Sequence, residues 1–291
     1  MPPEARRRWS PRSPGSPGFP PAPAHPYLAG PRPRAYAHRG WHLDELAGLE
    51  NTMAAFDRAV AEGFGYLELD VHATADGVAV VHHDRTLDRT TDASGPIAAR
   101  TAKELAGVRV RGAQGREPVP HLADVLAALP DTRMTVELKS GAAVRPVLGV
   151  LDRLDAWDRV CLGGYQDAWL QAARRLTRTD GARLFTSMGQ TSVVGLRVRG
   201  WAGAHRLVPA PSVRGDLAQL PHRFGGLTVV DEAVLRVAHA GGREVHVWTV
   251  DDPHAMALLL DLGADGLITD RPDALRDLLR ARGAWAADPT T

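Results

Sequence analysis

The sequence predicts an α/β protein folded as a single (β/α)8 barrel. Eight short apolar, strand-like runs alternate with amphipathic, helix-like stretches along most of the chain. Such alternation builds a parallel sheet covered by helices. The chain has 291 residues, 44% of them hydrophobic, and about 250 residues is the usual size of that barrel. Eight strands at this length favour a closed barrel over an open, doubly wound sheet.

Residues 1–33 are expected to be a disordered tail, rich in Pro and Arg (Arg6, Arg7, Arg8, Pro11, Pro14, Pro17, Pro20, Pro21, Pro23). A partner-binding polyproline segment is the alternative there, and the plain extension is preferred. The barrel domain is assigned to 34–285, and 286–291 to a second short tail. Strand-like runs lie at 35–39, 66–72, 134–139, 159–164, 182–187, 205–210, 244–250 and 266–269. Helix-like stretches lie at 52–62, 121–129, 143–156, 167–176, 231–240, 253–262 and 272–282.

One segment departs from the alternation. Asp76-Gly77 stands between two β-rich runs, a hairpin signal. So short a loop cannot join parallel neighbours, so 78–83 is expected to run antiparallel to the end of run 66–72. A two-residue turn would set Ala75 opposite Val78 and Asp70 opposite His83. The region 84–120 then reads as a polar insertion over the barrel mouth.

Composition narrows the function. Lys+Arg 35 against Asp+Glu 34 gives a formal charge of +1, so no global field recruits nucleic acid or membrane. The one cysteine, Cys161, excludes an internal disulfide and cysteine-rich metal sites. Its apolar setting reads as a buried structural thiol. No run of about 18 apolar residues predicts a membrane span, and Arg6-Arg7-Arg8 is not followed by the apolar segment of a signal peptide. A reducing, cytoplasmic location is expected from these features.

The chemistry-bearing residues gather at predicted strand ends. Glu68 and Asp70 share one face of their run by period-two alternation, with Leu67 and Leu69 on the other. Glu137 repeats the arrangement on the next barrel strand. Three carboxylates inside a barrel need compensation. Either a hard divalent cation bound by oxygen ligands or ion pairs with Lys139 and Arg39 would supply it, and two histidines tip the reading towards metal. His38 and Arg39 end the first run, before Gly40, and a barrel places its chemistry at strand ends. A forked guanidinium suits phosphate, and His83 ends the hairpin strand. Acid and base, cation and arginine are what phosphodiester cleavage requires. No Gly-X-Ser-X-Gly or P-loop motif offers another chemistry.

His38-Arg39-Gly40, Glu50-Asn51-Thr52, Glu68-Leu69-Asp70-Val71, Thr74-Ala75-Asp76-Gly77 and Val80-Val81-His82-His83-Asp84 follow one another in the sequence. Thr86-Leu87-Asp88-Arg89-Thr90-Thr91, Glu137-Leu138-Lys139, Val247-Trp248-Thr249-Val250 and Gly266-Leu267-Ile268-Thr269-Asp270 continue the order. Together they resemble the glycerophosphodiester phosphodiesterase family over about 35–275. The resemblance implies a phosphatidylinositol-phospholipase-C-like barrel with a small insertion after the second strand. It implies Glu68, Asp70 and Glu137 as ligands of Ca2+ or Mg2+, His38 and His83 as the acid/base pair, and Arg39 as the phosphate-binding arginine. Lys139 is similar to a second phosphate contact. The implied products are glycerol 3-phosphate and an alcohol, with a cyclic phosphate route open. Leu49 and Asp251 depart from the family pattern, at positions that carry none of this chemistry.

Other residues have two readings. Glu50 is a metal or supporting contact, or part of a helix start capped by Asn51. Trp248 is an apolar wall for glycerol or a core aromatic. His82 is expected to be structural, and Arg89-Thr90-Thr91 to order the insertion rather than bind phosphate. Lysophospholipids or sphingomyelin are an alternative substrate class, which needs an apolar surface beside the mouth. The basic 84–120 region favours soluble diesters instead. A non-catalytic phosphodiester-binding barrel and a barrel isomerase or aldolase complete the alternatives.

Overall fold

The computed structural model describes residues 24–177, 184–201 and 212–285. Among the described residues eight parallel strands form the barrel: β1 Arg34–His38, β2 Tyr66–Ala73, β3 Arg133–Leu138, β4 Val160–Gly164, β5 Phe185–Thr186, β6 Ala218–Pro221, β7 Val245–Trp248 and β8 Gly266–Thr269. Their order around the sheet is β5-β4-β3-β2-β1-β8-β7-β6. A parallel bridge between Ser187 and Leu217 joins β5 to β6 and closes the ring. A helix follows each strand, from Met53–Ala61 after β1 to Pro272–Ala281 after β8, giving the predicted (β/α)8 barrel.

The sixth strand differs from expectation. The run 205–210 lies outside the described residues, and β6 is Ala218–Pro221. Its sequence hides it: a polar Gln219 points inward, where its amide donates to Thr135 Oγ1 at 2.9 Å, and Pro221 ends the run. The helix Gln190–Trp201 is also absent from the expected elements, since its valines and glycines have low helix propensity.

Alternation sorts the side chains into two layers. Leu67, Leu69 and Val71 of β2 join Met134, Val136 and Leu138 of β3 in the layer beneath the helices. The residues between them face the barrel axis, where Tyr36, Tyr66, Cys161, Phe185, Leu217 and Ile268 fill the lower half. Cys161 is buried, as expected.

The expected tail is ordered in its last part. Pro26–Ala29 forms a 3-10 turn that plugs the base of the barrel with a fully buried Tyr27. Its hydroxyl lies 3.0 Å from that of Tyr36 and 2.9 Å from Thr135 Oγ1, while the Tyr66 hydroxyl donates to its carbonyl at 2.8 Å. The prolines around it mask this one aromatic anchor in the sequence. Tyr27→Ala is expected to destabilise the protein by about 3–5 kcal/mol, as large-to-small changes at buried aromatics do. Urea unfolding would measure it, and a loss below about 1 kcal/mol would mean the turn is no part of the core.

The hairpin after β2 forms with a different register. Ala79–Val81 runs antiparallel to β2, pairing Val71 with Val81 and Ala73 with Ala79. Asp70 therefore stands opposite His82, whose N–H donates to its carbonyl at 2.9 Å, rather than opposite His83. The turn holds three residues, Ala75 to Gly77, because Thr74 N–H donates to the Val78 carbonyl at 3.0 Å. Gly77 takes the left-handed conformation (φ +78°) that closes it. Beyond the hairpin, 84–120 carries a helix at Ala102–Leu105 and a second hairpin, Arg109–Arg111 with Arg116–Pro118. Leu87, Ile97, Leu105, Val108 and Val110 give it an apolar cluster of its own.

Candidate active site

A cavity of about 380 Å³ opens at the C-terminal ends of the strands. His38, Arg39, Glu68, His83, Glu137 and Lys139 line one end of it.

Register explains the convergence. His38 pairs with Glu68 across β1 and β2, and Asp70 with Glu137 across β2 and β3, so the four side chains stack in adjacent layers inside the barrel. Glu68, Asp70 and Glu137 each offer an oxygen within 4.8 Å of the others. Asp70 is fully buried and well partnered: Lys139 Nζ lies 2.9 Å from Oδ1, and Arg39 Nε 3.1 Å from Oδ2. The same ammonium is 3.0 Å from Glu137 Oε1. The ion pairs allowed by the sequence are thus present. Glu68 is the carboxylate they leave out: Lys139 and Arg39 sit on Asp70 and Glu137, while Glu68 Oε2, which like Asp70 Oδ1 and Arg39 Nε is buried without a well-formed hydrogen bond, has His38 Nε2 3.5 Å away.

The electrostatics follow. Burial, with Asp70 and Glu137 beside it and His38 opposing, pushes Glu68 up to about 8. Burial works the same way on Asp70, but Lys139 and Arg39 outweigh it and hold the carboxyl below its ordinary value. His38 is raised: burial opposes its charge, yet Glu68 and the hydrogen bond to Asp270 prevail.

Arg39 leaves β1 through a left-handed backbone (φ +56°). Gly40 must follow it, since a Cβ there would lie 2.8 Å from the Ala55 carbonyl carbon. The turn sends the guanidinium back over Asp70, with Nη1 2.9 Å from Glu50 Oε1. Glu50 also holds Arg89 at 2.7 Å, so it serves arginines and lies outside the three-carboxylate group. Asn51 is not the helix cap: Thr52 accepts from Ala55 N–H in that role. Asn51 takes φ +61°, and its amide donates to Asp70 Oδ2 at 2.8 Å, bracing the carboxylate.

Each histidine has a carboxylate behind it. His38 Nδ1 is 2.6 Å from Asp270 Oδ1, and His42 Nε2 reaches the same oxygen at 3.2 Å. His83 Nδ1 is 2.6 Å from Asp84 Oδ1. Arg89 clamps Asp84 at 2.7 Å while holding Glu50, so it orders the insertion against the mouth. His82 is buried away from the cavity, hydrogen-bonded to Thr90 Oγ1 at 2.9 Å. Trp248 lines the cavity wall and is 39% exposed, not a core aromatic. Local sequence assigns no role to Asp270 or Asp84, and to Asn51 only that of a cap. Barrel closure was the available signal for Asp270, because β8 adjoins β1 and Thr269 pairs with Ala37.

Comparison with known proteins identifies the family. A Mycobacterium tuberculosis protein named "Probable glycerophosphodiester phosphodiesterase 2" is 38% identical over 251 residues, covering 86% of this chain and 92% of its own. A glycerophosphodiester phosphodiesterase of Caldanaerobacter subterraneus is 30% identical over 258 residues, covering 85% and 98%. The structure of an Oleispira antarctica phosphodiesterase in complex with the product sn-glycerol-3-phosphate shares the fold. It has a TM-score of 0.67 at 20% identity and covers 86% of this chain and 97% of that one. Residues 38–274 match the Glycerophosphoryl diester phosphodiesterase family, and the chain belongs to that family of phosphoric diester hydrolases.

Proposed function

We propose that the enzyme hydrolyses glycerophosphodiesters to glycerol 3-phosphate and an alcohol, using His38 and His83 as its acid/base pair and a divalent cation, Ca2+ or Mg2+, held by Glu68, Asp70 and Glu137. The observation that carries this reading is the gathering of two carboxylate-backed histidines, three acids and two cationic side chains at one end of one cavity. The Oleispira complex supports the choice of product.

The donor set fits a hard cation. All three ligands are carboxylate oxygens, and a 4.8 Å span suits ions bound at about 2.0–2.6 Å. Glu68, buried and without a hydrogen bond at Oε2, is the residue such an ion would relieve. Bound there, it would supply Lewis-acid stabilisation of charge on the non-bridging phosphate oxygens.

The chain's own groups do the rest. Arg39 and Lys139 face the phosphate with positive charge, and their ion pairs to Asp70 fix their aim. Asp270 and Asp84 occupy Nδ1 of the two histidines, which leaves Nε2 of each to exchange a proton with the substrate. One takes the proton of the attacking hydroxyl while the other gives one to the departing alkoxide. Trp248 offers a flat apolar face to the glycerol carbons.

The test is release of glycerol 3-phosphate from glycerophosphocholine and glycerophosphoethanolamine with Ca2+, with Mg2+ and with chelator. Metal-dependent release is expected. Equal release in chelator would remove the cation from the mechanism, and no release from folded protein would remove the substrate class.

A further inference from the structure

Gln219 is a polar residue inside the barrel, 8% exposed, and its side chain lines the cavity. The two ends of its amide have nearly the same shape, but one donates and the other accepts. Which end faces the cavity is decided by a chain of hydrogen bonds that starts at the base of the barrel.

Glu244, just before β7, is paired with Arg32 and Arg34, and a carboxylate only accepts. His246 Nε2 therefore donates to Glu244 Oε2 across 3.1 Å. The two arginines already balance that carboxylate, and the full burial of His246 favours the neutral imidazole, whose Nδ1 is then an acceptor. The Tyr36 hydroxyl lies 3.0 Å from Nδ1 and gives it its proton. Each hydroxyl along the chain has one proton and two partners. Tyr36 thus accepts from Tyr27 at 3.0 Å, and Tyr27 accepts from Thr135 at 2.9 Å. Thr135, its proton spent, accepts from Gln219 Nε2 at 2.9 Å. The nitrogen is committed downward. Oε1 has no partner among the described residues, yet it is not sealed in the core, so it faces the cavity as a fixed acceptor.

An acceptor buried beside a site calls for a donor from whatever the site binds. Its position narrows the donor. Thr135 stands opposite Glu68 and two positions below Glu137, so the Thr135–Gln219 pair lies under the charged groups. Gln219 pairs with His246, and Trp248 follows two positions on along the same strand, about 6–7 Å higher. A three-carbon polyol lying on the indole reaches down to Oε1 with its terminal hydroxyl.

We infer that Gln219 Oε1, aimed by the chain through Thr135, Tyr27, Tyr36 and His246, accepts a hydrogen bond from the glycerol hydroxyl farthest from phosphorus, given a diesterase site at the charged end of the cavity. Gln219 is then a specificity-determining residue. Tyr27, on the turn that plugs the base of the barrel, is a positioning residue for it.

The experiment compares choline release from glycerophosphocholine and from its 1-deoxy analogue, which lacks that hydroxyl alone. The native enzyme is expected to prefer glycerophosphocholine by about ten- to a hundredfold in kcat/KM, mainly through KM, the range for leaving a buried polar group unpaired. Gln219→Met, which keeps the volume and loses both polar ends, is expected to bring the ratio close to one. Tyr27→Phe keeps the ring but frees the Thr135 proton to turn towards Gln219, and should lower the ratio by about threefold or more. Each ratio is taken within one preparation, so a partly folded variant does not mislead. A native ratio near one, or a ratio unchanged in Gln219→Met, would overturn the contact and leave the diesterase reading standing. A ratio lost in Gln219→Met but kept in Tyr27→Phe would overturn the chain as the device that aims the amide. No choline release from either substrate by the native enzyme would overturn the diesterase reading, and the contact with it.

Discussion

His38→Ala is expected to lower kcat by about two to four orders of magnitude, the range a positioned acid or base contributes. The barrel should survive the change, because His38 closes β1 at the partly open mouth and the core below it is aromatic. Asp270→Asn is the more informative partner experiment. Asp270 is among the groups that raise the His38 pKa, so removing its charge moves that titration to lower pH. If His38 acts as the base, activity needs it neutral, and the acidic limb of the kcat profile moves down. If His38 acts as the acid, activity needs it protonated, and the alkaline limb moves down instead. One profile therefore assigns the two histidines. The proposal fails if His38→Ala keeps wild-type activity, or if Asp270→Asn moves neither limb.

What the sequence revealed depended on whether local pattern alone decides the outcome. Glu68 and Asp70 could be set on one face because alternation along a strand is local, and β2 obeys it with Leu67 and Leu69 turned to the helices. Seven of the eight barrel strands stand out for the same reason. β6 does not, since Gln219 faces inward as a hydrogen-bond partner of Thr135 and breaks the apolar pattern. The hairpin was visible in Asp76-Gly77, but its register depended on one backbone hydrogen bond at Thr74, and a slip of one residue exchanges His83 for His82 opposite Asp70. Asn51 stood out as the cap because Asn ranks above Thr in local capping preference; its buried neighbour Asp70 takes the Asn51 amide instead and leaves the cap to Thr52. The longest-range contacts were least legible. Asp270 lies 232 positions from His38, and only closure of the ring brings the two together.

Adding Ca2+ or Mg2+ is expected to displace a proton from the protein, and the affinity for the ion to depend steeply on pH. Folding raises Glu68 from its ordinary 4.5 to about 8. At pH 7 the ion-free folded protein therefore holds a proton on Glu68 that the unfolded chain has lost. Two signs follow. In the ion-free protein the Glu68 contribution to stability should be fully present below the unfolded carboxylate value and be lost as pH rises towards about 8, opposite in sign to that of the depressed Asp70. Binding through the ionised carboxylate must release that proton, so affinity should climb by up to about tenfold per pH unit below 8 and level off above it. Calorimetric titration at pH 6.5 in buffers of different ionisation enthalpy should show about one proton released per ion, and at pH 9 close to none. Glu68→Gln has no proton to give there, so its weaker binding should lose most of this pH dependence. Affinity that is flat from pH 6 to 9 in the native protein and unchanged in Glu68→Gln would mean that Glu68 is not a ligand, and the carboxyl would then serve the histidine beside it, with His38 Nε2 at 3.5 Å as its partner.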